Sequence, residues 1–261
     1  MNGFGRIGRT CLRAALDRAE EGTQDVEAVA VNDITSPATL ASPRLRPGGP
    51  QLEYDSTFGR IGRATSNTRR FRDWIVSAAS CTTNRVAPMV KVLHEAFGSE
   101  RGMMTTIHGY TNDQSLLVGP HKDLRRARSA ALSSTSTITG TARAVGLVVP
   151  ELAGALDGVA VRVPVEDGSL TDLAIVLTRE ASADEINAAF GAAADGPLNG
   201  ILRVSKAPIV SRDVIGDPSS CIFDPALTQA NGTLVNVFGW YDNEWGYTNR
   251  LLDLTAPVAD D

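Results

Sequence analysis

Gly3-Phe4-Gly5-Arg6-Ile7-Gly8 opens the chain; a helical pattern follows to about residue 20, then the apolar run Val26 to Val31, ending at Asn32-Asp33. Glycine turn, helix, strand and acidic residue in that order form a dinucleotide-binding pattern. Glycines let the backbone approach a pyrophosphate, the helix amino end presents N–H groups with a partial positive charge, and a carboxylate after the next strand suits a ribose hydroxyl. Three glycines in a plain surface loop would look alike, and Asp33 is what lifts the pattern above that. The fingerprint normally follows a strand, yet only Met1 and Asn2 precede it. A strand-crossover-strand unit takes about 30 residues, and 46 residues lie between Asp33 and Ser80. The expected nucleotide-binding domain is therefore a shortened one, without a first strand and with room for at most one further strand.

Outward from there the chain first turns irregular. Pro43, Pro47, Gly48, Gly49 and Pro50 interrupt any element, and arginines stand at 44, 46, 60, 63, 69, 70 and 72, so residues 37 to 74 read as loop. Val86, Val90, Leu93 and Phe97 then recur at helical spacing, and Met103 to His108 reads as a strand. Residues 111 to 135 are polar and read as a long ordered loop, with a helix over Gly140 to Leu147. Val159, Val161 and Val163 alternate with Ala160 and Arg162, and Leu173, Ile175 and Leu177 alternate again, as antiparallel strands covering one face do. Arg162 then points away from the valines. Ser182 followed by Glu185 signals a capping box and a helix over Ile186, Ala189 and Phe190. Thr233 to Trp240 reads as a strand and Asn243 to about Leu254 as a closing helix. The expected class is α/β: an α+β domain with an antiparallel-rich sheet over 81–242, and a truncated Rossmann-like domain over 1–80 completed by the helix within 243–261.

Of the 261 residues, 43% are apolar, enough for a substantial core. A formal charge of −5 argues against a general nucleic-acid binder, which needs a basic excess to neutralise phosphates. No apolar run approaches the ~18 residues of a membrane span, and the opening residues lack a signal-peptide layout, so a cytoplasmic location is expected. Cys11, Cys81 and Cys221 are widely spaced with no C-x-x-C pair, which suggests neither a disulfide framework nor a metal site.

Cys81 stands in Ser80-Cys81-Thr82-Thr83-Asn84, just ahead of the helical pattern that begins near Val86. A helix amino end there would lower the thiol pKa from its usual value of about 8.5. Burial as an inert thiol is the commoner fate of a cysteine and is the competing reading. Cys11 reads as core, and Cys221 has no polar residues beside it. Among the histidines, His94 reads as part of a solvated helix face and His121 as part of the polar loop. His108 ends a strand and leads into Thr111-Asn112-Asp113, where a site residue would be displayed. Paired with Cys81 it could take the thiol proton and later return one.

Asn2-Gly3-Phe4-Gly5-Arg6-Ile7-Gly8-Arg9, Val31-Asn32-Asp33, Tyr54-Asp55-Ser56, Ser80 to Asn84, His108 to Gln114 and Trp240 to Tyr247 together resemble the glyceraldehyde-3-phosphate dehydrogenase family. The resemblance is nearly continuous from residue 75 to 255. It implies attack of Cys81 on the aldehyde of a triose phosphate, hydride transfer to NAD, with NADP as the alternative nucleotide, and attack of inorganic phosphate on the resulting thioester, with His108 as base and acid. It further implies anion sites at Thr111, Arg126 and Arg162 and at Ser80, Thr82, Thr139 and Gly140. Gly5, Arg6, Ile7 and Asp33 would hold the dinucleotide, and Asn243 and Tyr247 would lie near the nicotinamide. The arginine-rich stretch Lys122 to Arg128 resembles a loop that packs near a neighbouring subunit, which implies a homo-tetramer. Three positions depart from the family pattern: Ala78 replaces an asparagine, Ser136 a proline, and Arg85 a small residue. Because the nucleotide domain is so short, a second reading remains beside the enzymatic one, a non-catalytic relative or scaffold subunit.

Overall fold

Gly5 caps the first helix, α1, which spans Arg6–Glu20. Its buried stripe is Thr10, Ala14 and Ala15, and Gly22 with φ +71° closes its carboxyl end. The computed structural model describes residues 1, 5 to 23 and 77 to 260. The strand read at Val26 to Val31, Asp33 and the loop read over 37 to 74 lie outside the described residues. Two units can be distinguished, residues 1–78 with 248–261, and residues 79–247. Within the first, Arg18 Nη2 donates to Asn249 O at 3.2 Å, Asn249 Oδ1 at 3.1 Å and Asp253 Oδ1 at 2.7 Å.

In the second unit, Ser80 decides where the longest helix starts. Its backbone is extended (φ −119°, ψ 160°) and its Oγ accepts a hydrogen bond from the Thr83 N–H at 3.0 Å, so helix α2 begins at Cys81 and runs to Phe97. The periodicity placed that start near Val86; the polar first turn Thr82-Thr83-Asn84 hides the true one. Met103 to His108 lies within the longer strand β1 (Ser99–Gly109), and the polar loop after it carries no regular element before strand β2 (Thr135–Ile138). Helix α3 (Thr141–Val148), strands β3 (Leu156–Val163) and β4 (Ser169–Leu177) and helix α4 (Ala183–Asp195) follow. Ser182 and Glu185 form the capping box read from the sequence. Strands β5 (Leu202–Val204), β6 (Cys221–Phe223), β7 (Gln229–Asn231) and β8 (Leu234–Tyr241) lead to helix α5 (Trp245–Asp260).

The eight strands form one mixed sheet in the order β2-β3-β1-β4-β8-β6-β5, with β7 paired to β8. Most pairs are antiparallel, whereas β1–β3 and β5–β6 are parallel. β3 and β4 run in opposite senses without pairing, because β1 lies between them. Helices α2, α3 and α4 pack on one face of the sheet. Val86, Met89, Leu93 and Phe97 of α2 meet Leu173, Ile175, Val235 and Val237 there, and Phe190 stacks on Phe223 with centroids 3.9 Å apart. The valines of β3 do not line this core. Leu156, Gly158 and Ala160 point inward, while Val159 on the opposite face is 44% exposed. The alternation separating Arg162 from the valines holds, but Arg162 shares the helix-covered face. No described helix is long and apolar enough to cross a membrane.

Candidate active site

Cys81 is the first residue of α2, and its Sγ lies 3.5 Å from His108 Nε2 near the end of β1. The parallel pairing of β1 and β3 sets His108 opposite Arg162. On its other side, His108 Nδ1 is 2.7 Å from Gly109 O and 2.7 Å from Arg162 Nη1, which also donates to Gly109 O at 3.1 Å. A carbonyl only accepts and a guanidinium only donates, so Nδ1 satisfies one of the two at a time. Protonated, Nδ1 donates to Gly109 O and turns the Nε2 lone pair toward the sulfur, the form that removes a thiol proton. Bare, it accepts from Arg162 and presents Nε2–H to the sulfur, the form that steadies a thiolate.

Burial pushes the Cys81 thiol up from its ordinary value, against downward pulls from the Thr82 hydroxyl and N–H and the charges of Arg85 and Arg162. The expected lowering by the helix end alone is therefore corrected: withdrawal from water outweighs the local donors and cations. The adjacent imidazole is placed where it could take the thiol proton. Cys221 is fully buried and pushed up to about 12 by that burial, and Cys11 is half-buried.

The proposed anion-binding residues fall in several places. The Ser80 hydroxyl is taken up as the cap of α2, and Thr82 Oγ1 lies 3.1 Å from the Tyr241 hydroxyl. Gly140 caps α3 with no side chain, a Cβ placed there would touch nothing within 4 Å, and the first turn of α3 carries no acidic residue. No acidic side chain opposes an anion at that end, although the Thr141 N–H is taken by Thr139 Oγ1 at 3.2 Å. Thr139 Oγ1 bonds Thr141 Oγ1 at 3.0 Å. Thr111 N–H donates to Gln114 Oε1 at 3.2 Å. Arg126 is engaged by Asp113 and Thr137, with Asp123 at 3.5 Å. Burial lowers the Arg162 pKa, Tyr241 and Cys81 raise it, and Arg126 and Asp113 also act on it, so these groups share one electrostatic neighbourhood.

Asn243 is buried; its Oδ1 accepts from Ser169 Oγ at 2.6 Å, and Ser169 Oγ accepts from Gly109 N–H at 3.2 Å. Ser169 thereby ties Asn243 to the residue after His108. Tyr247, at the start of α5, is pushed up by burial and then by Cys81, so it too lies within electrostatic reach of the sulfur. In the other unit Gly5 is the cap of α1, exposed, with no acidic residue in the first turn and, among the described residues, nothing within 4 Å of a would-be Cβ. Arg6 and Ile7 are exposed beside it. A glycine-capped helix end with no acidic residue in its first turn fits a pyrophosphate. Asp33 lies outside the described residues.

Sequence reading missed Tyr241, Ser169 and Asp167 as members of this region. Tyr241 bonds Thr82 and meets the His108 ring edge-on with centroids 6.0 Å apart. Ser169 and Tyr241 face each other across β4 and β8. Long-range register brings them in, and no local pattern announces it.

Two family models match the chain. One, described as the NAD binding domain of glyceraldehyde 3-phosphate dehydrogenase, covers residues 1–77, and the other, described as the C-terminal domain, covers residues 80–243. Among similar curated proteins, the glyceraldehyde-3-phosphate dehydrogenase of Mycobacterium tuberculosis is 43% identical over 338 positions, covering 99% of this chain and 97% of the relative. Glyceraldehyde-3-phosphate dehydrogenase 2 of Streptomyces avermitilis is 42% identical over 339 positions, covering 100% and 98%. These alignments are longer than the 261 residues of the chain, so the remaining positions are gaps opened in it, in keeping with the shortage between Asp33 and Ser80. The thiol-imidazole couple thus stands in a chain that belongs to the glyceraldehyde-3-phosphate dehydrogenase family.

Proposed function

We propose that the chain is a phosphorylating glyceraldehyde-3-phosphate dehydrogenase that uses Cys81 as nucleophile and His108 as its base and acid. The single observation that carries this is the 3.5 Å approach of Cys81 Sγ to His108 Nε2 at the amino end of α2. His108 takes the thiol proton, the sulfur forms a bond to the aldehyde carbon as the carbonyl π bond breaks, and His108 returns that proton to the oxygen, giving a thiohemiacetal. His108, neutral again, then removes the hydroxyl proton as the carbon loses hydride and becomes a thioester. NAD, when bound, supplies the hydride acceptor. A phosphate oxygen attacks the thioester, the carbon–sulfur bond breaks, and acyl phosphate leaves Cys81 as thiolate.

Gly5, Arg6 and Ile7 at the glycine-capped end of α1 would hold the dinucleotide with Asp33, while Asn243 and Tyr247 would orient the nicotinamide. Arg162, Arg126 and Thr111 would hold one phosphate, and Ser80, Thr82, Thr139 and Gly140 the other; guanidinium groups and helix-end N–H groups suit phosphate oxygens. Ser80 and Thr82 would contribute chiefly through the backbone, since their hydroxyls are already engaged. A homo-tetramer is supported by apolar side chains left open on the described sheet, Ile138 at 89% and Met103 at 61% exposure. The free cysteines suit a reducing cytoplasm.

Spectrophotometric NADH formation from glyceraldehyde 3-phosphate, NAD and phosphate tests the reading. Cys81→Ser should abolish turnover, and His108→Asn should lower kcat by about 10²–10⁴-fold. Wild-type turnover in Cys81→Ser would refute it.

A further inference from the structure

Arg85 is fully buried, although arginine is almost never so without a partner. It lies four residues after Cys81 in α2, on the same helix face, and a helical side chain leans back over the turn before its own Cα. Its guanidinium carbon sits 4.2 Å from the centroid of the Tyr241 ring, and Nη1 donates to Gly239 O at 3.3 Å. Nε and Nη2 are buried with no hydrogen-bond partner, and the groups acting on its charge are Tyr241, Cys221 and Cys81, none of them a carboxylate. The chamber is built for it. A Cβ at Gly239 would come within 2.8 Å of Met89 Sδ, 2.9 Å of Cys221 Sγ and 3.4 Å of Arg85 Cδ.

A buried guanidinium stays charged and is costly unless an anion answers it. The ionisable groups about it are Cys81 on its own helix, Cys221 on β6 and Tyr241 on β8, with His108 and Arg162 beyond on β1 and β3. Burial pushes Cys221 and Tyr241 up to about 12, so both stay neutral at working pH. Cys81 is left as the group whose ionisation meets the charge. We propose that Arg85 is a buried counter-charge to the Cys81 thiolate, a positioning residue that offsets the desolvation of the nucleophile from inside the fold. The inference rests on Cys81 being the reactive thiol.

The test is the pH profile, from 5 to 10, of iodoacetamide alkylation of the full chain. Cys81→Ser identifies the fast phase by removing it; persistence of that phase would defeat the nucleophile assignment rather than the role of Arg85. In Arg85→Met the inflection should move up by about one pH unit, and the rate at pH 6 should fall about tenfold, because only the thiolate reacts. Arg85→Lys, which keeps the charge, should restore most of the wild-type profile. A merely structural role would change stability without moving the inflection, whereas here the thermal midpoint of Arg85→Met should equal or exceed the wild type. Arg85→Gln is the second neutral variant, with the same shift expected. An unshifted profile in either folded neutral variant overturns the proposal. So does failure of both neutral variants to fold, which would make the arginine structural.

Discussion

Ala79 is the only non-glycine among the described residues with a positive φ, at 56°. A left-handed alanine costs roughly 1–2 kcal/mol, and such strain persists only where the surroundings enforce it. Here it turns the chain into extended Ser80, which caps α2 and sets Cys81 as its first residue. Ala79→Gly should raise the stability measured by urea unfolding by about 0.5–1 kcal/mol; a loss of that size would show that the side chain holds the turn. At this scale the sequence was legible where chemistry is local. Cys81 and His108 could be picked out because each lies beside a polar run at the end of an element. Arg85 showed only as an unusual residue, since nothing nearby in sequence says that Tyr241 and Gly239 enclose it.

Among elements, the turn between β3 and β4 packs Asp167 beside Asp242, with Asn243 N–H on Asp167 Oδ1 at 3.3 Å. Burial, then the Asp242 charge, raise the Asp167 carboxyl to about 7. Unfolded, it would titrate near 4. The folded state therefore holds an extra proton between about pH 4 and 7, so this group's contribution is fully present below about pH 4 and is lost as pH rises through 7. The thermal midpoint of Asp167→Asn, followed from pH 5 to 8, should gain on the wild type as pH rises; a constant difference would contradict the assignment. The longer elements were legible, from the alternation of β3 and β4 to the capping box of α4, whereas the short strands β2, β5, β6 and β7 are too brief to show a pattern of their own. Which face of β3 is covered was not. Helix packing decides that, and an alternating strand reads the same from either side.

For the whole molecule, the shortage of residues before Ser80 was legible as plain arithmetic, and the gaps in the alignments with relatives agree with it. The eight-stranded order was not legible, because β1 enters between β3 and β4, strands that follow it in the chain. The α2 end, the β1 end and β3 meet through that order, so the thiol, the imidazole and Arg162 converge whatever the length of the first unit. The central claim is that this convergence oxidises an aldehyde through a bond to Cys81, and a pre-steady-state burst tests it most directly. Mixed rapidly with glyceraldehyde 3-phosphate and saturating NAD in the absence of phosphate, the purified chain should release close to one NADH per Cys81 and then slow, because the thioester has no acceptor. Cys81→Ser should show no burst. A burst of the same size in that variant, or its absence in a wild-type chain that demonstrably binds NAD, would contradict the account.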